Sequence, residues 1–312
     1  MTDGLPPPAA GYHGGELSAQ ERAGFRPSAA RMLPMVAPAL PRGAVGFLAA
    51  QRVLFVGAAD TEGRVWASVL HGDPGFLRVR DPGTLEIAAL PAAVDPLAVT
   101  LRSPARTGTL AIDFRARRRF RMNGRTAPAG HGLLLAVDQA YGNCPRYIQS
   151  RTPGEAPPGA PARLLSAGDA LDEGQRRLVA TADTFLVASV SADGDADVSH
   201  RGGNPGFVRV EAPDRLSWPD YDGNTMLMTL GNLTAHPAAG LLFVDWRSGT
   251  ALHLTGTATV DWDPEAAAGV PGAQRIVRFA IARVVQVDHP EAPSWSPPHF
   301  SRFNPPVADR AG

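Results

Sequence analysis

The chain has 312 residues, 44% of them hydrophobic and 19% charged, with a formal net charge of zero. That describes a protein with room for a well-buried core and no global electrostatic case for a nucleic acid or an anionic membrane as partner. All thirty basic residues are Arg, so a Schiff-base lysine and a P-loop lysine are both excluded. Thirty-three Gly and thirty Pro favour many short elements joined by turns, as in an all-β barrel. The single Cys144 rules out an internal disulfide and a thiolate cage. No apolar run reaches the roughly 18 residues of a membrane span, and the N-terminus lacks the layout of a signal peptide, so the cytoplasm is the expected location.

Residues 1–11 are Pro- and Gly-rich. The pattern from Glu16 to Ala23 predicts a short helix closed by Gly24. Prolines at 27, 34, 38 and 41 predict a connector over 26–41 with at most one helical turn. From Gly46 the pattern turns to strands: 52–57, an Asp60–Gly63 turn, 65–70, then 76–80, 84–89, 97–101, 109–114, 117–123 and 133–140. Residues 157–163 form a Pro-rich linker, and a second helix is predicted over 172–181 with Asp172 at its start.

The second half then repeats the first. Pro74-Gly75-Phe76-Leu77-Arg78-Val79 returns as Pro205-Gly206-Phe207-Val208-Arg209-Val210, and Gly63 and Gly194 stand 131 positions apart. Gly108 and Gly240 differ by 132, as do Gly124 and Gly256. One inserted residue over some sixty positions marks an internal duplication of a β-domain. The expected division is a helix and connector over 1–44, domains over 45–156 and 172–290, a linker over 157–171, and a Pro-rich tail over 291–312 that wraps a surface.

The order of Ser199-His200-Arg201-Gly202-Gly203, the Pro-Gly-Phe strand, Asn232-Leu233 with Pro237, Gly240-Leu241-Leu242-Phe243 with Asp245, and Thr255-Gly256 resembles the pyridoxamine 5'-phosphate oxidase-like FMN-binding split barrels. Cys144-Pro145-Arg146-Tyr147-Ile148 is similar to a segment of flavin-nucleotide-binding members. The resemblance covers roughly residues 45–150 and 175–290. It implies an all-β fold with a few short helices: two Greek-key split barrels in tandem, packed as an intramolecular pseudo-dimer with FMN between them. FAD, a deazaflavin or haem are the alternative cofactors. The implied activity is that of an FMN-dependent oxidoreductase or flavin reductase passing hydride to a small molecule. A flavin or haem carrier without turnover, and a β-domain with decayed sites, are the competing readings. With no Gly-x-Gly-x-x-Gly unit, any NAD(P)H visits as a diffusing substrate. A homodimer is left open.

Departures from the family limit the substrate. Leu227, Met228 and Thr229 stand where the oxidases carry Ser-Arg-Lys, Ala251 replaces their flavin-contacting Gln, and Ser301-Arg302-Phe303-Asn304-Pro305-Pro306 holds no counterpart of their substrate-binding arginine motif. Flavin binding is implied; vitamin B6 oxidation is not.

The resemblance makes Ser199 and Arg201 the expected phosphate ligands, a hydroxyl donor beside a planar, always-charged fork; the alternative is a polar hairpin turn with a solvated Arg. Asp220, Tyr221, Asn224, Thr229 and Asn232 offer hydrogen bonds to a flavin edge or ribityl chain, or else turn and cap chemistry. Arg115, Arg117, Arg119 and Arg121 fall at period two, which predicts four guanidiniums on one strand face with Phe120 and Met122 opposite. Such a ladder is either a solvated edge or an anion lining, and Arg119 and Arg121 are the two expected at the cofactor. Cys144 is expected to line the cleft without reacting. The eight His show no metal-binding spacing, though His200 and His253 are placed to face the cleft. An offset of 131 puts Ser68 at the position of Ser199 but Leu70 at that of Arg201, so one working site per chain is expected.

Overall fold

A computed structural model of the chain describes residues 11–157, 160–223 and 225–307. The chain opens with α1 (Gly14–Arg22), capped by His13 and Glu16 bonding reciprocally, and Gly24 ends it with φ +71°. α2 (Arg26–Met32) and a 3₁₀ turn (Leu33–Met35) correct the expected connector. Pro27 sits in the first turn of α2, where no amide hydrogen is required, so it starts this helix rather than breaking one. α3 (Ala44–Ala49) takes up Gly46, where strands were expected to begin.

The first barrel comprises β1 (Val53–Ala59), β2 (Val65–His71), β3 (Leu77–Asp81), β4 (Thr84–Ile87), β5 (Ala105–Asp113), β6 (Arg118–Ala129) and β7 (Gly132–Asn143). The strand expected at 97–101 is a loop entering a 3₁₀ turn, Thr100–Arg102. Asp95 Oδ1 accepts the Leu97 amide and starts the turn, while Leu97 and Leu101 are buried with Val99 exposed between them. That is helical spacing read mistakenly as a β-branched run.

After β8 (Arg163–Gly168) and α4 (Glu173–Thr181), the second barrel repeats the plan. It contains β9 (Thr184–Val190), β10 (Ala196–Gly202), β11 (Arg209–Ala212), β12 (Arg215–Tyr221), α5 (Met228–Ala235), β13 (Ala238–Val244), β14 (Ala251–Asp261), α6 (Pro264–Ala268) and β15 (Ala273–Asp288). The sheet orders are β2-β1-β5-β6-β7-β4-β3 and β10-β9-β13-β14-β15-β12-β11, one topology used twice. Both first hairpins turn on a left-handed glycine, Gly63 at φ +78° and Gly194 at φ +84°. β8 lies inside the expected linker: β15 outruns β12, and on that edge its Val284–Asp288 end is paired by Gly168–Arg163.

Each barrel has its own apolar core. A third cluster, including Phe55, Val65, Leu110, Leu186, Val198 and Leu242, draws on both halves and forms the seam. Two glycines let the sheets meet there. A Cβ on Gly108 would lie 2.5 Å from the Asp197 backbone, and one on Gly240 2.6 Å from that of Trp66. Trp66 and Asp197 are 131 positions apart, so this is a single contact made twice about an internal two-fold. The tail returns across the seam, pairing His299 with Ser150 and Trp295 with Pro153, and Trp295 packs on Phe114 and Trp246.

Candidate functional site

The site forms where the edge strand β10 of the second barrel faces β6 of the first. Alternation along β10 puts Ser199 and Arg201 on one face, and the same period along β6 presents Arg119 and Arg121. α5 delivers Thr229, and the end of β12 delivers Asp220 and Tyr221. These residues line one cleft, with Asn143 and His200 in its wall and Tyr147 beside them.

Hydrogen bonds knit its floor across the seam. Arg121 donates to Ser199 Oγ and, at 2.7 Å, to Tyr141 Oη, and its guanidinium pairs with Asp197 at 2.9 Å. Ser199 Oγ and Thr229 Oγ1 are 2.7 Å apart. Arg119 Nη1 donates to His200 Nδ1 at 3.0 Å. Arg201 donates to the His200 carbonyl at 3.1 Å.

The charge balance decides what such a cleft accepts. Asp197 neutralises Arg121, and Asp220 is held by Arg275 at 2.9 Å. Neither Arg119 nor Arg201 has a carboxylate within ion-pair distance among the described residues. Removing an ion from water without a partner costs several kcal/mol. Burial first, then Arg121 and Arg201, pulls the Arg119 pKa down to about 9. Burial and neighbouring guanidiniums hold His200 neutral, well below the ordinary imidazole range. With Nδ1 accepting from Arg119, the His200 proton sits on Nε2. That atom is buried without a partner, as are Arg119 Nε and Arg121 Nε. Unmet donors and unmatched cations converge here, the chemistry a phosphate satisfies.

The mouth is tied across the seam. Arg146 pairs with Asp222, Tyr147 Oη donates to the Asp222 carbonyl at 2.7 Å, and the Tyr147 and Tyr221 rings lie 5.3 Å apart. Tyr147 (φ 66°) and Leu227 (φ 54°) are two of the three left-handed non-glycine residues among those described, and both line the cleft. A Cβ on Gly202 would strike the Tyr147 carbonyl, so the glycine is what admits this segment.

Six expected site residues, Ser199, Arg201, Asp220, Thr229, Arg119 and Arg121, meet in this cleft. Asn224 lies outside the described residues. Asn232 does not line the cleft: it donates to Ser189 Oγ at 2.9 Å and its Oδ1 lies 2.8 Å from His13 Nε2, beside a neighbouring cavity that also contains Glu16 and Asp138. The four-arginine ladder is also corrected. β6 begins at Arg118, and Arg117 is left-handed in the preceding turn, donating to the Ile148 and His299 carbonyls. Cys144 is half-buried between Asn143 and Pro145. Asp197, Tyr141 and Arg275 were missed. Asp197 was findable, two residues before Ser199 on the same strand face; Tyr141 and Arg275 needed strand register.

The internal two-fold carries Ser199, Arg201 and Arg121 onto Ser68, Leu70 and His253. Ser68 and His253 are buried, with Asp95 hydrogen-bonded to Ser68 and His253 Nδ1 2.9 Å from the Ala67 carbonyl. No guanidinium stands at these three positions. The duplicated site has been filled with a short polar network.

Residues 171–299 match the family model described as pyridoxamine 5'-phosphate oxidase. The second barrel is pyridoxamine 5'-phosphate oxidase-like. The match takes in this oxidase-like barrel and not the first, which shares the second's strand order. Similar solved structures include a Lactobacillus delbrueckii protein assigned provisionally to the pyridoxamine 5'-phosphate oxidases (24% identity, 39% of this chain and 98% of that one, TM-score 0.33). An FMN-binding protein from Syntrophomonas wolfei (11%, 36% and 82%, 0.28) and an F420 reductase (16%, 36% and 95%, 0.27) are others. At these identities and TM-scores the neighbours bear on neither cofactor nor activity. No curated protein matches the chain. Among the described residues no helix is long and apolar enough to cross a membrane, and no group of three or more His, Cys, Asp or Glu is placed to hold a metal ion.

Proposed function

We propose that the chain is an FMN-binding oxidoreductase with one flavin site, in the cleft between β6 and β10. The observation that carries this reading is the pair of half-buried guanidiniums, Arg119 and Arg201, with no carboxylate in ion-pair distance among the described residues, beside the unpartnered Nε2–H of His200. The residues fit the phosphate-bearing end of the nucleotide: Arg119, Arg121 and Arg201 would hold it, with Ser199 and Thr229 as neutral donors. Tyr147 and Tyr221 stand at the open side, where the flat end would rest, with the buried Asp220 behind them. The cleft's cavity volume of about 100 Å³ supports a reading with the phosphate inside and the flat ring at the mouth.

Bound FMN would supply the hydride chemistry. The chain contributes position, charge neutralisation and exclusion of water. Burial and, for Tyr221, the neighbouring Tyr147 raise the Tyr147 and Tyr221 pKa values, that of Tyr221 to about 12, so neither phenol serves as a base near neutrality.

Titration of the purified chain with FMN and with riboflavin tests the proposal. An anion site predicts FMN binding at least tenfold tighter, since charged hydrogen bonds contribute about 1.5–3 kcal/mol each. Equal affinity for the two, or none for either, would overturn it. Oxidation of NAD(P)H by the loaded protein then separates an enzyme from a carrier.

A further inference from the structure

Arg119 and Asn143 are walls shared by two cavities. On the far side from the cleft lies a second space of about 380 Å³, between α3 with its preceding loop and the start of β6. Ligand pockets commonly run from about 300 to 1,000 Å³. Phe47 and Phe120 form an edge-on pair at 6.4 Å, and the exposed Arg118 guanidinium stands 5.4 Å over the Phe47 ring. Arg117 and Arg119 complete three consecutive cations. None of the three is within ion-pair distance of a carboxylate among the described residues. Asn143 Oδ1 is buried and unpartnered between the two cavities.

Aromatic rings and a guanidinium plane offer stacking surfaces to a flat, π-rich group. Cations without counter-ions call for a polyanion. An acidic peptide would answer the charge and leave the rings unused; an apolar ligand would do the reverse. A nucleotide answers both.

We propose that this cavity binds a nucleoside diphosphate, its base against Phe47 and Arg118 and its phosphates toward Arg119. Two sources share that chemistry: a free nucleotide, and the distal half of a reduced dinucleotide whose other half enters the cleft past Arg119 and Asn143. The second source rests on the flavin reading; binding of the diphosphate itself does not.

The test titrates ADP into the full chain, both ligand-free and saturated with FMN, using wild type, Arg118→Glu and Phe47→Ala. Binding to wild type, weakened at least tenfold in Arg118→Glu and severalfold in Phe47→Ala while FMN affinity stays within twofold, supports the site. No ADP binding, or binding indifferent to Arg118→Glu, overturns it. ADP that raises the KM for NAD(P)H without lowering kcat assigns the site to the dinucleotide; bound ADP that leaves KM unchanged assigns it to a free nucleotide. A wild-type chain that binds ADP but no FMN retains this cavity and removes the flavin reading alone.

Discussion

Arg119 of the first barrel donates to Nδ1 of His200 in the second, 3.0 Å away, and among the described residues no carboxylate lies within ion-pair distance of either. The bond fixes the imidazole tautomer and leaves a half-buried cation that a ligand can balance. Arg119→Gln therefore has two effects of opposite sign. FMN affinity should fall by about 10- to 100-fold, the scale of a lost charged hydrogen bond. The ligand-free protein should gain stability, by on the order of 1 kcal/mol, because an unpaired, half-buried charge is gone. Flavin fluorescence titration and denaturant melts without ligand check both. A variant that binds as before and melts as before would mean Arg119 is solvated.

The seam glycines make a differential prediction. A Cβ on Gly108 meets the backbone of Asp197, the counter-ion of Arg121, whereas a Cβ on Gly240 meets Trp66, beside the filled counterpart. Gly108→Ala and Gly240→Ala should each destabilise by about 1–3 kcal/mol, the usual range for overpacking. Only Gly108→Ala should also weaken FMN. Equal loss of affinity in both variants would break the link between that strand contact and the site.

Glu16 supplies a pH dependence. Burial above all, with Asp197 nearby, raises its carboxyl from 4.5 to about 8, against the opposing bond from the His13 amide and the attraction of Arg121. Between those values the unfolded chain has released a proton that the folded chain keeps, so stability falls as pH rises through that window and levels off above it. The slope is at most about 1.4 kcal/mol per unit. Glu16→Gln should match wild type near pH 4.5 and exceed it increasingly toward pH 8. Denaturant melts across that range check this; a difference that does not grow with pH would exclude a buried, protonated Glu16.

The filled counterpart predicts stoichiometry. Ser68, Leu70 and His253 offer an anion no guanidinium, so saturation should come at one FMN per chain, and Ser68→Ala should leave that number and the affinity unchanged. Equilibrium dialysis giving two per chain would refute it.

Much of this was legible before any coordinates because it depends on repeats and alternation. The 131-residue offset located both barrels, and period two placed Ser199 with Arg201 and Arg119 with Arg121. What stayed hidden depends on register and on packing between distant segments. Leu97 and Leu101 took helical spacing because a core lay on one side of them, and Pro27 opened a helix because nothing preceded it that needed its hydrogen. Asn232 is spent on Ser189, with His13 at its Oδ1, a residue 219 positions away that no local pattern connects to it.

The mirrored approach of Gly108 to Asp197 and of Gly240 to Trp66 has a consequence for how the site responds to dilution. In two separate subunits a binding groove at the shared face vanishes when the partners part, and occupancy then depends on how much protein is present. Here both walls belong to one polypeptide, so the groove survives at any concentration. The same tether frees the two faces from having to remain identical, which is how one of them can keep its arginines while the other trades them for leucine and histidine.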